Sequence, residues 1–158
     1  MEIRSKIKDR EGRVFDVVFK EKDPMIGLQG VRLEVVQAFC FCEGKLVLVY
    51  AKEKDRRSPP GGSVEEGESP DEAVVREVFE ETNMEVLHKE LIGYQDIYLP
   101  DETVRQVRYF CKVRPLGDFV SDPDGDITEI KLIDPSEYKE YFDWGEIGEY
   151  IMKKSLNF

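Results

Sequence analysis

Between Ser69 and Asn83 the segment SPDEAVVREVFEETN spells out a helix from one end to the other. Ser69 suits the N-cap and Pro70 the first helical position. Glu72, three residues after Ser69, completes a capping-box pattern that satisfies two otherwise orphaned backbone donors. Asn83 stands where the chain should leave the helix, and after glycine it is the residue that most readily takes the left-handed conformation. The spacing predicts that Val75, Val78, Phe79 and Thr82, at i, i+3, i+4 and i+7, form the stripe that packs on a sheet. Glu77, Glu80 and Glu81 then project from the opposite side, where they repel one another by about 0.2–0.5 kcal/mol per pair. An acidic face of this kind is usually left in solvent; the other use for it is to hold a cation.

Strands surround this helix. IRSKIKD and GRVFDVVFKE read as a hairpin about Glu11-Gly12, and VRLEVVQAFCFC and KLVLVYA as antiparallel strands about Glu43-Gly44. The polar stretch KEKDRRSPPGG leads into the helix as a loop. Beyond the helix, EVLHKELIGYQDIYL and TVRQVRYFCKVR are joined by a PDE turn, SDPDGD is a further loop, and ITEIKLI is a short strand. Helical spacing at Ile147, Tyr150 and Ile151 marks a C-terminal helix. This order gives a mixed α/β class rather than a regular βαβ repeat. At 158 residues without a linker-like break, the expectation is one domain over residues 1–158, with residues 1–30 as an N-terminal β extension.

Charge and cysteine usage exclude several classes. A net charge of -11 disfavours binding a nucleic-acid duplex through its phosphates. No stretch is apolar enough for a signal or a membrane span, and three cysteines without a histidine cluster suit buried free thiols in a reducing compartment, so a cytoplasmic location is expected. P-loop and dinucleotide glycine fingerprints are missing.

Taken with its leading loop, the segment GSVEEGESPDEAVVREVFEETNM, Gly62 to Met84, resembles the signature of the Nudix hydrolase family, G-x5-E-x7-R-E-U-x-E-E-x-G-U with U aliphatic. Gly62, Glu68, Arg76, Glu77, Val78, Glu80 and Glu81 fall on their positions, and Asn83 replaces the last glycine. The resemblance implies an α/β/α sandwich with a mixed β-sheet, a catalytic loop-helix and a C-terminal helix. It also implies Mg2+, with Mn2+ as a substitute, held by Glu77 and Glu81, with Glu80 close by and the Gly61 carbonyl adding an oxygen from the loop. Hard oxygen ligands on a rigid helix suit that ion. Arg76 and Glu68 would support the ligands. The metal would neutralise a diphosphate and activate or position an attacking water.

The implied reaction is hydrolysis of a phosphoanhydride in a nucleoside diphosphate linked to another moiety X, either ADP-ribose or a nucleotide sugar, or a normal or oxidised nucleoside triphosphate. The alternative is a Nudix-fold module that senses a nucleotide or binds metal without turnover. A small-molecule nucleotide is the expected partner, and dimers are common in the family. Outside the signature, Asp122, Asp124, Asp126 and Glu129 are candidates for an additional loop carboxylate, against the reading of a plain Asp-Pro/Asp-Gly turn. Arg56 and Arg57, with Lys52 and Lys54, are candidates for phosphate contacts, and Tyr98 for stacking on a base, although such residues more often belong to a solvated loop or to sheet packing. His88 reads as structural rather than catalytic.

Overall fold

The computed structural model describes residues 1–119, 122–123 and 125–158. Strand β1 (Glu2–Lys8) pairs antiparallel with β2 (Val14–Lys20), and Asp9 fixes their turn by accepting from the backbone N–H groups of Glu11 and Arg13. Strands β3 (Val31–Cys42) and β4 (Lys45–Ala51) follow, joined by Glu43 and Gly44, which both carry positive φ (50° and 80°). That geometry matches the twist of a two-residue hairpin. Two short strands, β5 (Arg56–Ser58) and β6 (Gly61–Ser63), occupy the stretch expected to be loop. Helix α1 (Pro70–Thr82) comes next, then β7 (Met84–Tyr98), β8 (Thr103–Pro115), β9 (Ile127–Ile133), a 3-10 turn at Pro135–Glu140 and helix α2 (Gly145–Ser155).

Along the sheet the order is β1-β2-β7-β8-β3-β4-β5, with β6 paired to β3 and β9 to β4. The sheet is mixed because β3 runs parallel to β8 while the other pairings are antiparallel. Hairpin β3–β4 stays paired only at Phe41–Leu46 and Cys42–Lys45. Beyond that point β3 turns its edge to β6, and β4 goes to β5 and β9. This parting of the strands opens the cleft described below.

Side chains alternate across β3, as the two-residue strand period requires. Val36, Ala38, Cys40 and Cys42 join one core with Val74 and Val78 of α1, and Phe39 and Phe41 join the other with Ile147, Ile151 and Met152 of α2. The result is a sheet structure covered by a helix on each side, the α/β/α arrangement. None of the described helices is long and apolar enough to cross a membrane.

The helix ends match the sequence reading, and its buried face matches only at Val78 and Thr82. Ser69 accepts from the Glu72 N–H, the Glu72 side chain returns the bond, and Asn83 leaves the helix at φ 54°, ψ 38°. The Asn83 amide also donates to the Asp118 carbonyl at 3.1 Å, a second tie that glycine could not make. However, Val75 and Phe79 are 40% and 48% exposed, and the buried positions are Pro70, Ala73, Val74, Val78 and Thr82. The helix is therefore rolled so that Glu77 and Glu81, four apart and in line with Ala73, face the loop and the cleft rather than open solvent.

A buried clamp holds the chain between β2 and β3. Arg105 on β8 is 3% exposed and makes two bonds to Asp96 on β7, at 2.8 and 3.0 Å. Its Nη1 also donates to the carbonyls of Pro24 (2.8 Å) and Ile26 (2.6 Å). Tyr94 lies under the guanidinium, 3.9 Å from ring centre to Cζ.

Candidate active site

The site begins with two glycines. Gly61 and Gly62 pair with Gln37 and Val36 of β3. The Gln37 side chain donates to the Pro59 carbonyl at 2.9 Å, and the Ala38 N–H to the Pro60 carbonyl at 2.8 Å, so the PPGG segment is stitched to β3 residue by residue. A Cβ on Gly61 would strike the Val36 carbonyl oxygen. One on Gly62 would lie 2.5 Å from the Glu77 carboxyl group. A side chain at 62 would therefore have to displace the Glu77 carboxyl group, the flexible end of that residue, from its place against the loop. Gly62→Ala should push Glu77 off the loop and weaken divalent-ion affinity by about 10- to 100-fold, the usual cost of disturbing a group that orients a ligand; Mn2+ titration of the variant beside the wild type measures it.

Arg76 organises the acidic residues. Its Nε and Nη2 form a two-point contact with Glu68 (2.7 and 2.9 Å), Nη1 reaches Glu77 (2.9 Å) and Glu80 (3.1 Å), and Nη2 also donates to the Ser63 carbonyl (3.0 Å). The planar fork of a guanidinium suits this work. Its bonds hold Glu68 below the usual carboxylate range. Glu77 goes the other way, because the burial of its carboxyl outweighs the attraction of Arg76.

Glu81 is the most perturbed carboxylate. Burial raises it to about 8; the Gly61 N–H, donating at 2.9 Å, works against that rise, and the charges of Glu77, Asp122 and Asp126 add to it. Its ordinary value is 4.5, so between about pH 4.5 and 8 the folded chain keeps a proton that the unfolded chain has lost. Stability without metal must then fall as pH rises through that interval. A divalent ion displaces the proton, so its affinity should rise with pH up to about 8, and its presence should flatten the loss of stability. Melting curves from pH 5 to 8.5, with and without Mg2+, check both signs; a metal-free melting temperature that climbs towards pH 8 would contradict them.

These groups open on a cleft of about 1200 Å³. Gly61, Gly62, Arg76, Glu77 and Glu81 line it, and Arg56, Arg57, Asp122 and Asp126 are on its walls. Glu68 and Glu80 do not line it and are tied to it through Arg76. Of the loop carboxylates, Asp122 is buried and Asp126 is exposed at the cleft, while Asp124 lies outside the described residues. Glu129 is ion-paired with Arg57, whose guanidinium also sits over the Tyr50 ring. Tyr98 is not on the cleft wall; it sits beside Arg4, Lys6 and Asp16 on the other face of the N-terminal hairpin. His88 is exposed and bonded to Glu90, also away from it.

The donors fit a hard dication. Glu77 and Glu81 offer carboxylate oxygens from one helix face, and the space beside Gly62 is kept clear for one of them. In their present positions the carboxylates are satisfied by Arg76 and by the Gly61 N–H, and among the described residues no three acidic, histidine or cysteine side chains converge as a ligand set.

A model of the NUDIX domain matches residues 32–153. The chain belongs to the Nudix hydrolase family. Its Nudix box is the Gly62–Met84 segment, and the fold agrees. The pyrophosphohydrolase BsRppH of Bacillus subtilis shares 21% identity over 97% of this chain and 96% of its own, with a TM-score of 0.74. A UDP-X diphosphatase shares 20% over 80% and 63%, with a TM-score of 0.62. The Nudix domain of Shewanella oneidensis NrtR, solved with ADP ribose, shares 15% over 80% and 89%, with a TM-score of 0.64. None of the curated proteins compared with the chain matches it.

Several lining residues carry no motif and were not singled out from sequence: Glu34, Gln37, Gln95, Gln106, Arg108 and Trp144. The available signal was alternation. Gln106, Arg108 and Phe110 share one face of β8, and polar residues on a face that also carries core aromatics call for an explanation.

Proposed function

We propose that this Nudix protein is a divalent-metal-dependent pyrophosphohydrolase that cleaves the phosphoanhydride of a nucleoside diphosphate joined to another moiety X. The observation that carries this is the placement of Glu77 and Glu81 on the wall of a nucleotide-sized cleft, with Gly62 against Glu77 and Arg76 joining Glu77 to Glu68. Glu77 and Glu81 would hold Mg2+ or Mn2+, with the Gly61 carbonyl as a further oxygen donor. Such an ion supplies charge neutralisation and polarisation of the scissile phosphoanhydride.

The chain does the rest. Arg76 fixes Glu68, Glu77 and Glu80 in one orientation. Arg57 has a buried Nη1 with no acceptor among the described residues, and it can donate to a phosphate oxygen. Burial keeps the Glu81 carboxyl protonated up to about pH 8 without metal; once ionised, it is a strong enough base to take the proton of an attacking water. Water adds to phosphorus, the bridging P–O bond breaks, and two phosphate-terminated products leave. Asp122 and Asp126 stand on the same wall as loop carboxylates that can share this task.

Product identification across ADP-ribose, nucleotide sugars, dinucleoside polyphosphates and normal and oxidised nucleoside triphosphates, with Mg2+ or Mn2+, tests the reading. Metal-dependent release of a nucleoside monophosphate or of pyrophosphate is expected. Tight nucleotide binding with no product from any of them would favour the sensing module instead.

A further inference from the structure

Arg108 has no role in the reaction just described, yet it is the most unusual cation in the molecule. It is 3% exposed, and Nε and Nη1 lack any acceptor among the described residues, leaving at least three of its five N–H donors unmet. Only Nη2 is engaged, donating to the Gln106 side-chain oxygen at 2.9 Å. Its Cζ sits 5.3 Å from the Trp144 ring centre, and burial lowers its pKa to about 10, so it remains charged at neutral pH. Buried donors are nearly always paired, and one left unmet on the wall of a cleft points to an acceptor supplied from outside.

The neighbours say what kind of acceptor. Gln106 is fixed from both ends: its oxygen also accepts from Gln95 (3.0 Å), and its nitrogen donates to Glu34 (2.8 Å). One amide therefore holds a cationic donor on one side and a carboxylate acceptor on the other, and all four residues line the cleft. A phosphate would be drawn to Arg108 but offers no donor to Glu34, whose Oε2 also accepts from Arg32 at 3.2 Å. A neutral ring that presents acceptors on one edge and donors on the next satisfies both. Tyr141, Phe142 and Trp144 on the same wall supply aromatic surface for it.

We propose that Arg108 and Glu34 form the base-reading subsite of this cleft and select a 6-oxopurine nucleotide, guanine or hypoxanthine. The guanidinium donates to the O6/N7 acceptor edge, the commonest specific contact of arginine with a base, and Glu34 accepts from N1–H. Adenine places an amino donor where Arg108 needs an acceptor, and a pyrimidine lacks the N7. The subsite rests on the reading of the cleft as a nucleotide site, and it concerns binding rather than the bond broken.

Calorimetric titration of the full chain with GDP, IDP, ADP and UDP, beside kcat/KM for the matching triphosphates and diphospho-sugars, tests it. GDP and IDP should bind about 10- to 100-fold more tightly than ADP or UDP. Arg108→Gln should erase that ratio and raise KM for guanine substrates far more than it lowers kcat. If Arg108→Gln does not fold, Glu34→Ala, at a half-exposed position, should still weaken GDP and leave ADP unchanged. Equal affinity for GDP and ADP in the wild type, or a preference that survives the substitutions, overturns the proposal. Guanine-selective binding without turnover of any substrate would uphold it while overturning the hydrolase reading, and turnover without base preference would do the reverse.

Discussion

Glu81→Gln should leave the fold intact and reduce hydrolysis by about 10²- to 10⁴-fold, the range expected when a positioned proton acceptor is lost, with further loss from weakened metal binding. Glutamine keeps the shape of the side chain, and its carbonyl oxygen can still accept from the Gly61 N–H, which donates to Glu81 at 2.9 Å. Only the capacity to become an anion disappears. Without metal the wild-type carboxyl holds its proton up to about pH 8, so the amide imitates the state already present in the resting protein. The variant should therefore melt at or above the wild-type temperature at pH 8 without metal, and gain less from added Mg2+. Kinetics and melting curves on one preparation separate this from a mere folding defect. A variant that melts far below the wild type would assign Glu81 a structural role instead.

Arg105→Met should cost about 3–5 kcal/mol of stability, the penalty of removing one partner from a buried ion pair. Asp96, 9% exposed at its side chain, would be left with an unmatched charge, and the Pro24 and Ile26 carbonyls would lose their donor. Methionine fills much of the volume, so the loss comes from uncompensated polar groups rather than from a cavity. Replacing Asp96 by Leu in the same chain should recover part of the loss, because two apolar residues strand fewer charges than one carboxylate alone. Urea denaturation of both variants gives the numbers. A loss below about 1 kcal/mol for Arg105→Met would mean that water reaches the pair and that the clamp does not hold the segment between β2 and β3.

What the sequence made legible, and what it hid, follows from how local each signal is. The ends of α1 could be read because a capping box and a left-handed exit are written in a few adjacent residues, and both form as spelled. Its orientation could not. Two apolar stripes compete on this helix, one through Val75 and Phe79 and the other through Val74 and Val78, and spacing alone does not rank them. The second is buried, because the roll of the helix must also bring Glu77 beside Gly62. Strands β5 and β6 are three residues each, and their Arg, Ser and Gly carry no strand preference; they exist because β4 and β3 offer free edges there.

The same division holds for the site. Gly62, Glu68, Arg76, Glu77 and Glu81 were legible because fixed spacing links them, and the structure gathers them about one guanidinium. Arg105 and Arg108 are charged residues in a strand, and sequence gives such residues a solvated edge by default. Only three-dimensional pairing separates their fates: Arg105 finds Asp96 and two carbonyls, and Arg108 finds one amide oxygen. Tyr98 lies away from the cleft for a related reason. Gln95 and Ile97 of β7 line the cleft, and Tyr98, the next residue, points to the opposite face by strand alternation and sits with Arg4 and Asp16.

The acidic face of α1 is proposed to hold a divalent cation. The most direct test is the anomalous scattering of manganese in crystals soaked at about pH 8, where Glu81 begins to lose its proton. The expected result is a peak bounded by Glu77, Glu81 and the Gly61 carbonyl, lost in Glu81→Gln. A peak confined to other carboxylates, or one unchanged in that variant, would contradict it.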